Sequence, residues 1–195
     1  GANYSLSVAA APEFSIPPKA IVVTAVAGQT KVFGDPDPVI FTYTFAPALV
    51  GSDAITGLMS RVSGENAGNY AYTIGTLTAG SNYSLSVAVS PEFSITPKAI
   101  VIIANAGQTK IYGEADPVPF AYINAPALLG NDAFTGMISR ISGENTGSYA
   151  YTLGTLTAGS NYSLSISAAT QFSITQKALM VQAEDKFKCF NGAIY

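Results

Sequence analysis

The sequence is written in steps of 79 residues, and that period limits the possible folds more than any other property. Lys19 returns as Lys98 and Lys177, "GQTKVFG" at 28–34 as "GQTKIYG" at 107–113, and "APALVGSDAITG" at 46–57 as "APALLGNDAFTG" at 125–136. Roughly two-thirds of the 79 positions are identical between the two complete copies. Many of the differences conserve volume, such as Val62/Ile141, Ile74/Leu153 and Val87/Ile166, and cores tolerate such swaps well. A period of this length belongs to a tandem array whose copies are large enough to close a core of their own.

The frame predicts four segments. Residues 1–18 read as the C-terminal strands of a preceding copy, 19–97 and 98–176 as two complete copies, and 177–195 as the N-terminal part of a following, divergent one. The expectation is a window on a longer array. "FSIPPKAIV" and "FSITPKAIV" leave only Pro17–Pro18 and Thr96–Pro97 between the last strand of one copy and the first of the next, and proline stiffens such a linker. Gln176 replaces the proline at the third junction.

Within a copy the pattern is β. "YSLSV" at 83–87, "YAYTI" at 70–74 and "FSI" at 93–95 alternate with the period of half-buried strands. "KAIVIIA" at 98–104 is more continuously apolar, which predicts a strand covered on both faces. "TLTAGSN" at 76–82 reads as a hairpin connection, and "GDPDP" at 34–38 as irregular chain, because Pro36 and Pro38 remove donors and restrict their predecessors. No helical period is sustained. The expected fold class is therefore all-β: tandem Ig-like β-sandwich domains joined by short Pro-containing linkers. A β-grasp domain, with a helix in the 49–60 region, is the alternative that satisfies the same strand count.

Composition narrows the chemistry. Hydrophobic residues make up 48% and charged residues only 11%, against about a quarter in an average soluble domain. Ser, Thr, Asn and Gly must then supply surface polarity. A net charge of −3 without a basic stripe excludes nucleic acid as a partner. No apolar run approaches the roughly 18 residues of a membrane span, and no signal peptide is visible. The chain has no histidine, which removes Ser-His and Cys-His nucleophiles and most zinc or iron sites. Its one cysteine, Cys189, cannot form a disulfide within the chain and is expected as a half-buried strand residue.

Two polar groupings remain. Asp35 and Asp37, matched by Glu114 and Asp116, offer oxygens of the kind Ca²⁺ takes, but two acids fall short of the six to eight oxygens of a tight site. They read as turn chemistry. Asp53, Arg61 and Glu65, repeated as Asp132, Arg140 and Glu144, read as a loop-bracing ion pair; paired carboxylates of a glycosidase would need a cleft that a small sandwich scarcely provides. No catalytic, cofactor-binding or metal-binding residue is assigned, and the chain is read as no enzyme.

"ENAGNY" and "ENTGSY" contain Asn-x-Gly-x-Tyr at Asn66–Tyr70 and Asn145–Tyr149. This resembles the stretch leading into strand F of Ig-like sandwiches, where a tyrosine hydroxyl ties back to the backbone of its own corner. The strands that follow would then form an F–G hairpin. Rings available for stacking a sugar would come from Tyr43, Tyr112 and Tyr122, since tryptophan is absent.

The ordered series Lys-Ala-Ile-Val, Ala-Gly-Gln-Thr-Lys-(Val/Ile)-(Phe/Tyr)-Gly, Gly-x-Asp-Ala-(Ile/Phe)-Thr-Gly, Ser-Arg, Gly-Glu-Asn-x-Gly-x-Tyr and Ser-Asn-Tyr-Ser-Leu resembles the MBG repeats of large bacterial surface proteins. The last segment, "KALMVQAEDKFKCFNG", is closer to the related YDG-type repeats. The resemblance implies a structural stalk or spacer in a surface or secreted adhesin, of the filamentous-haemagglutinin-like or gliding-motility kind. It implies an extracellular location and neighbouring repeats as the direct partners, with glycans or proteins engaged through other regions. A glycan-binding or self-associating repeat is the alternative. The resemblance brings no catalytic residue and no cofactor.

Overall fold

The computed structural model describes residues 2–9, 13–190 and 192. Gly1, residues 10–12 and 191, and 193–195, which belong to the expected flanking fragments, lie outside the described residues. The chain divides into two compact units, Gly1–Lys98 with Gly159–Ser163, and Ala99–Ala158 with Leu164–Tyr195. Both are all-β, with no helix among the described residues.

The first unit contains β1 (Lys19–Ala25), β2 (Thr30–Val32), β3 (Tyr43–Ala46), β4 (Ser60–Arg61), β5 (Gly68–Tyr70), β6 (Tyr72–Thr73), β7 (Tyr83–Val87) and β8 (Phe93–Thr96). In one sheet β1 lies between β3, antiparallel from Val22↔Ala46 to Ala25↔Tyr43, and β7, parallel from Lys19↔Tyr83 to Val23↔Val87. In a second sheet β8 lies between β2, parallel, and β5, antiparallel. The short strands β4 and β6 form a third pair.

The alternation of each strand decides what faces inward. Ile21, Val23 and Ala25 point in from the first sheet, and Phe93 and Ile95 from the second. Val23, Ala25, Phe93 and Ile95 meet around Phe41, Met59, Tyr72 and Leu77. Phe41 sits edge-on to Phe93 and to Tyr72, each with centroids 5.3 Å apart, the arrangement that aromatic quadrupoles favour. Two sheets closing on one interior make a sandwich.

The second copy repeats the scheme with β9 (Lys98–Ala104), β10 (Thr109–Ile111), β11 (Tyr122–Ala125), β12 (Ser139–Arg140), β13 (Gly147–Thr152), β14 (Tyr162–Ile166) and β15 (Gln171–Thr175). Its sheets run β11-β9-β14 and β10-β15-β13-β12, and β10 again lies parallel to β15. Here β13 is continuous where the first unit splits it into β5 and β6. Phe120, Tyr151 and Phe172 take the places of Phe41, Tyr72 and Phe93.

The structure departs from the sequence reading at four places. "KAIVIIA" is a strand, but its burial alternates: Ile100, Ile102 and Ala104 are enclosed while Val101 faces out, so one face of the sheet is uncovered. "TLTAGSN" is no hairpin, because β7 leaves β6 to pair in parallel with β1 in the other sheet. The partner expected to complete an F–G hairpin is instead β8, which pairs with β5. The 49–60 region, where the β-grasp alternative places a helix, holds a turn and a single bridge from Thr56 to Thr78.

The fourth departure concerns the flanks. Residues 2–9, 13–18 and 177–190 form no strand, and Leu6, Phe14, Met180 and Phe187 are exposed. Cys189, expected half-buried in a strand, is accordingly exposed.

Candidate functional site

Each unit carries a four-residue charge network at the edge of its core. In the first unit β2 has the burial pattern out-in-out, so the central Lys31 points inward with the residues that its neighbours leave on the surface excluded. On β4 the inward position is Arg61. Their side chains are 4% and 5% exposed. A buried cation is tolerated only when paired, and two loops bring the partners: "GDPDP" delivers Asp37, and the loop after β4 delivers Glu65.

The Arg61 guanidinium uses its whole fork. Nε donates to Asp37 Oδ2 at 2.7 Å and Nη2 to Asp37 Oδ1 at 2.8 Å, a bidentate grip. Nη2 also donates to Glu65 Oε1 at 2.7 Å, and Nη1 to the carbonyls of Val62 and Gly64 at 3.0 and 2.6 Å. Lys31 Nζ lies 2.7 Å from Asp37 Oδ1 and pairs with Glu65 Oε2. The guanidinium carbon stands over the Tyr70 ring at 5.0 Å and the Phe93 ring at 5.3 Å, so the network is clamped to the core by cation–π contact.

The Tyr70 hydroxyl donates to the carbonyl of Asn66 at 2.7 Å, and Tyr149 does the same to Asn145 at 2.7 Å. This is the corner expected from Asn-x-Gly-x-Tyr. It demands a glycine: Gly64 has φ +149°, and a Cβ there would come within 2.3 Å of Tyr70 Cε1.

The second unit reproduces the network with Lys110, Asp116, Arg140 and Glu144. Arg140 grips Asp116 at 2.7 and 2.9 Å and reaches Glu144 at 2.7 Å. Lys110 Nζ is 2.8 Å from Asp116 and also pairs with Glu144.

The charges hold one another ionised. The Arg61 hydrogen bond, outweighing the cost of burial, keeps Asp37 below the usual carboxylate range, and Arg140 does the same for Asp116. Glu65 is lowered chiefly by Lys31, and Glu144 by Lys110. Burial alone would pull Lys31 down, but Asp37 and Glu65 together leave it above its ordinary value. Four groups of balanced sign, each fixed in its charged form, supply neither a free base nor a neutral amine nucleophile. Asp37 and Asp116 spend their oxygens on two cations each, so they are not available to Ca²⁺. Among the described residues no three acids, cysteines or histidines come together as a metal site would need.

The expected trio of Asp53, Arg61 and Glu65 is thus half right. Arg61 and Glu65 meet, but Asp53 lies elsewhere and accepts from the Tyr83 hydroxyl at 2.7 Å, while that hydroxyl accepts from the Val50 amide at 2.9 Å. In the second unit Arg140 likewise meets Glu144 and Asp116. Asp35 is exposed, and Glu114 accepts from the Ile111 amide at 3.2 Å, which is turn bracing. Lys31 and Lys110 were not anticipated; the signal was there in "TKV" and "TKI", whose alternation turns the lysine inward. Of the candidate stacking rings, Tyr112 is 49% exposed, Tyr43 packs against the core, and Tyr122 meets Phe134 edge-on at 5.9 Å.

The family model of the MBG domain, YGX type, matches residues 21–92 and again 100–173. No curated protein and no solved structure matches the chain. With two tandem matches covering most of its length, the chain belongs to the MBG domain family of YGX type.

Proposed function

We propose that the chain is a non-catalytic, load-bearing spacer in a bacterial surface adhesin. Its place in a family of repeat domains typical of surface-associated adhesins supports the setting. One structural observation carries the mechanical part: the first strands of a copy pair in parallel with its last. β1 lies parallel to β7 and β2 parallel to β8. Tension between Lys19 and Thr96 pulls β1 toward its N-terminus and β8 toward its C-terminus. Both ladders are then loaded along their length, and their hydrogen bonds share the force instead of opening one by one.

Single-molecule pulling tests this reading. With handles in the flanking segments, each copy should unfold at a distinctly higher force than when handles at Lys19 and Ala48 peel β3 from β1. Equal or lower force for end-to-end loading refutes the load-bearing role. Antibody against the folded repeats should stain intact producing cells; staining only after lysis refutes the surface setting.

A further inference from the structure

A strand at the edge of a sheet leaves a row of backbone amides and carbonyls unpaired, and proteins guard such edges with short strands, proline or charge. Most edges here are guarded. β3 and β11 run into Pro47 and Pro126, β2, β5 and β10 are three residues long, and β4, β6 and β12 only two. The strand β7 is different. It closes the sheet β3-β1-β7 with five residues, "YSLSV", that include no charge and no proline and keep an unbroken register with β1. In the second copy β14, "YSLSI", holds the same edge position. Each of these sheets takes all its strands from one copy, so the strand order itself leaves the edge open.

The parallel ladder decides which backbone groups point outward. The Asn82 carbonyl accepts from the Lys19 amide at 2.9 Å, and the Ala88 amide donates to the Val23 carbonyl at 2.9 Å. Between those ends Ser84 and Ser86 turn their backbone toward β1. Leu85 and Val87 turn theirs away, and their amides and carbonyls have no partner among the described residues. The Tyr83 carbonyl points the same way, while its amide is taken by the Gly80 carbonyl at 3.3 Å. Side chains alternate too: Ser84 and Ser86 are exposed on the outer face, whereas Leu85 and Val87 lean on the core and are only half-buried. In the second copy Lys98 N–H to Asn161 O at 2.9 Å and Ser167 N–H to Ile102 O at 2.7 Å give Leu164 and Ile166 the same outward backbone. Donors and acceptors at this spacing are matched by another extended chain.

The strand is also complementary to itself, because from either end it runs apolar, Ser, apolar, Ser, apolar. We propose that β7 pairs antiparallel with β7 of a second copy of this chain, across a two-fold axis at Leu85, and joins the two sheets into one. Leu85 exchanges both backbone hydrogen bonds with its counterpart, and each Val87 amide donates to the Tyr83 carbonyl opposite. Ser84 then faces Ser86, Tyr83 faces Val87, and no charge opposes another. The half-exposed sides of Leu85 and Val87 are covered in the same step. The interface is isologous, the same patch on both partners, and β14 presents the same edge. Two five-residue strands bury less than the ~1,000 Å² of a stable interface, so the contact is weak, with a dissociation constant on the order of 1 mM. The pairing holds whether or not the chain bears load.

Sedimentation of the chain from micromolar to millimolar concentration tests the pairing, and the weight-average mass should rise with concentration. A lysine variant combining Ser84→Lys, Ser86→Lys, Ser163→Lys and Ser165→Lys sets like charges opposite one another and should stay at monomer mass. A glutamate variant at the same four positions should do the same. All four side chains are exposed, so circular dichroism of both variants should match the parent. An equimolar mixture of the two variants should associate again, since each cation then meets an anion, a rescue that an unfolded chain does not give. Association through the flanking segments or by exchanged strands would survive the lysines. A parent that stays monomeric at millimolar concentration, association that persists in the lysine variant, or a mixture that remains monomeric overturns the proposal.

Discussion

Replacing Arg61 by methionine keeps the length of the side chain and removes the charge that organises the network. The cost follows from what is left behind. Asp37, 34% exposed, loses its bidentate partner, and the carbonyls of Val62 and Gly64 lose their donors. Glu65, 68% exposed, contributes little, because water screens such a pair to ~1 kcal/mol or less. Breaking an enclosed pair by removing one partner costs ~3–5 kcal/mol, and the exposure of Asp37 places this case at the lower end, about 3 kcal/mol. Native-state hydrogen exchange read by mass spectrometry resolves the copies separately. Peptides covering β1 and β8 should exchange roughly a hundredfold faster in Arg61→Met, while those covering β9 and β15 keep their rates. A loss below ~1 kcal/mol would show that the four charges behave as a solvated surface cluster, and the reasoning would fail.

Acid should act through the same residues. The folded-state pKa values of Asp37, Glu65, Asp116 and Glu144 are all depressed, so their stabilisation is complete above the ordinary carboxylate range, about pH 4, and is lost as pH falls through the lower folded values. The urea midpoint should therefore drop between neutral pH and pH 3, with a shallower drop in Asp37→Asn/Asp116→Asn; an unchanged slope in that variant counts against the network. Tyr70→Phe removes the corner bond to Asn66 and should cost about 1 kcal/mol in chemical denaturation, with Tyr149→Phe matching it. Gly64→Ala should destabilise far more than Gly28→Ala. Both have positive φ, which alone costs about 1–2 kcal/mol, but a Cβ at Gly28 meets nothing within 4 Å while one at Gly64 strikes Tyr70. Equal losses in thermal melts would show that backbone strain alone decides.

The repeat frame, the strands and the tyrosine corner were legible because each is local. Alternation in "YSLSV" fixes which side faces in, and Asn-x-Gly-x-Tyr places donor and acceptor four residues apart. What was not legible depends on pairing at a distance. Nothing in "TLTAGSN" says that the next strand will cross to β1 instead of folding back, since turn residues suit both. Asp37 reaches Arg61 across 24 residues and Lys31 reaches Glu65 across 34, so neither partner is visible from spacing. Asp53 looked like the natural acid for Arg61 because it is near in sequence, yet Tyr83 claims it.

The parallel ladders also govern how such a chain must be made. No copy can close until its final strand has left the ribosome, because β1 waits for β7 and β2 for β8. Such non-local closure is slow. Meanwhile "YSLSV" at 83–87 and "YSLSI" at 162–166 offer β1 two partners of nearly equal chemistry. Vectorial synthesis presents the nearer one first. Refolding from denaturant presents both together, and exchanged strands are the product that competes with the native pair.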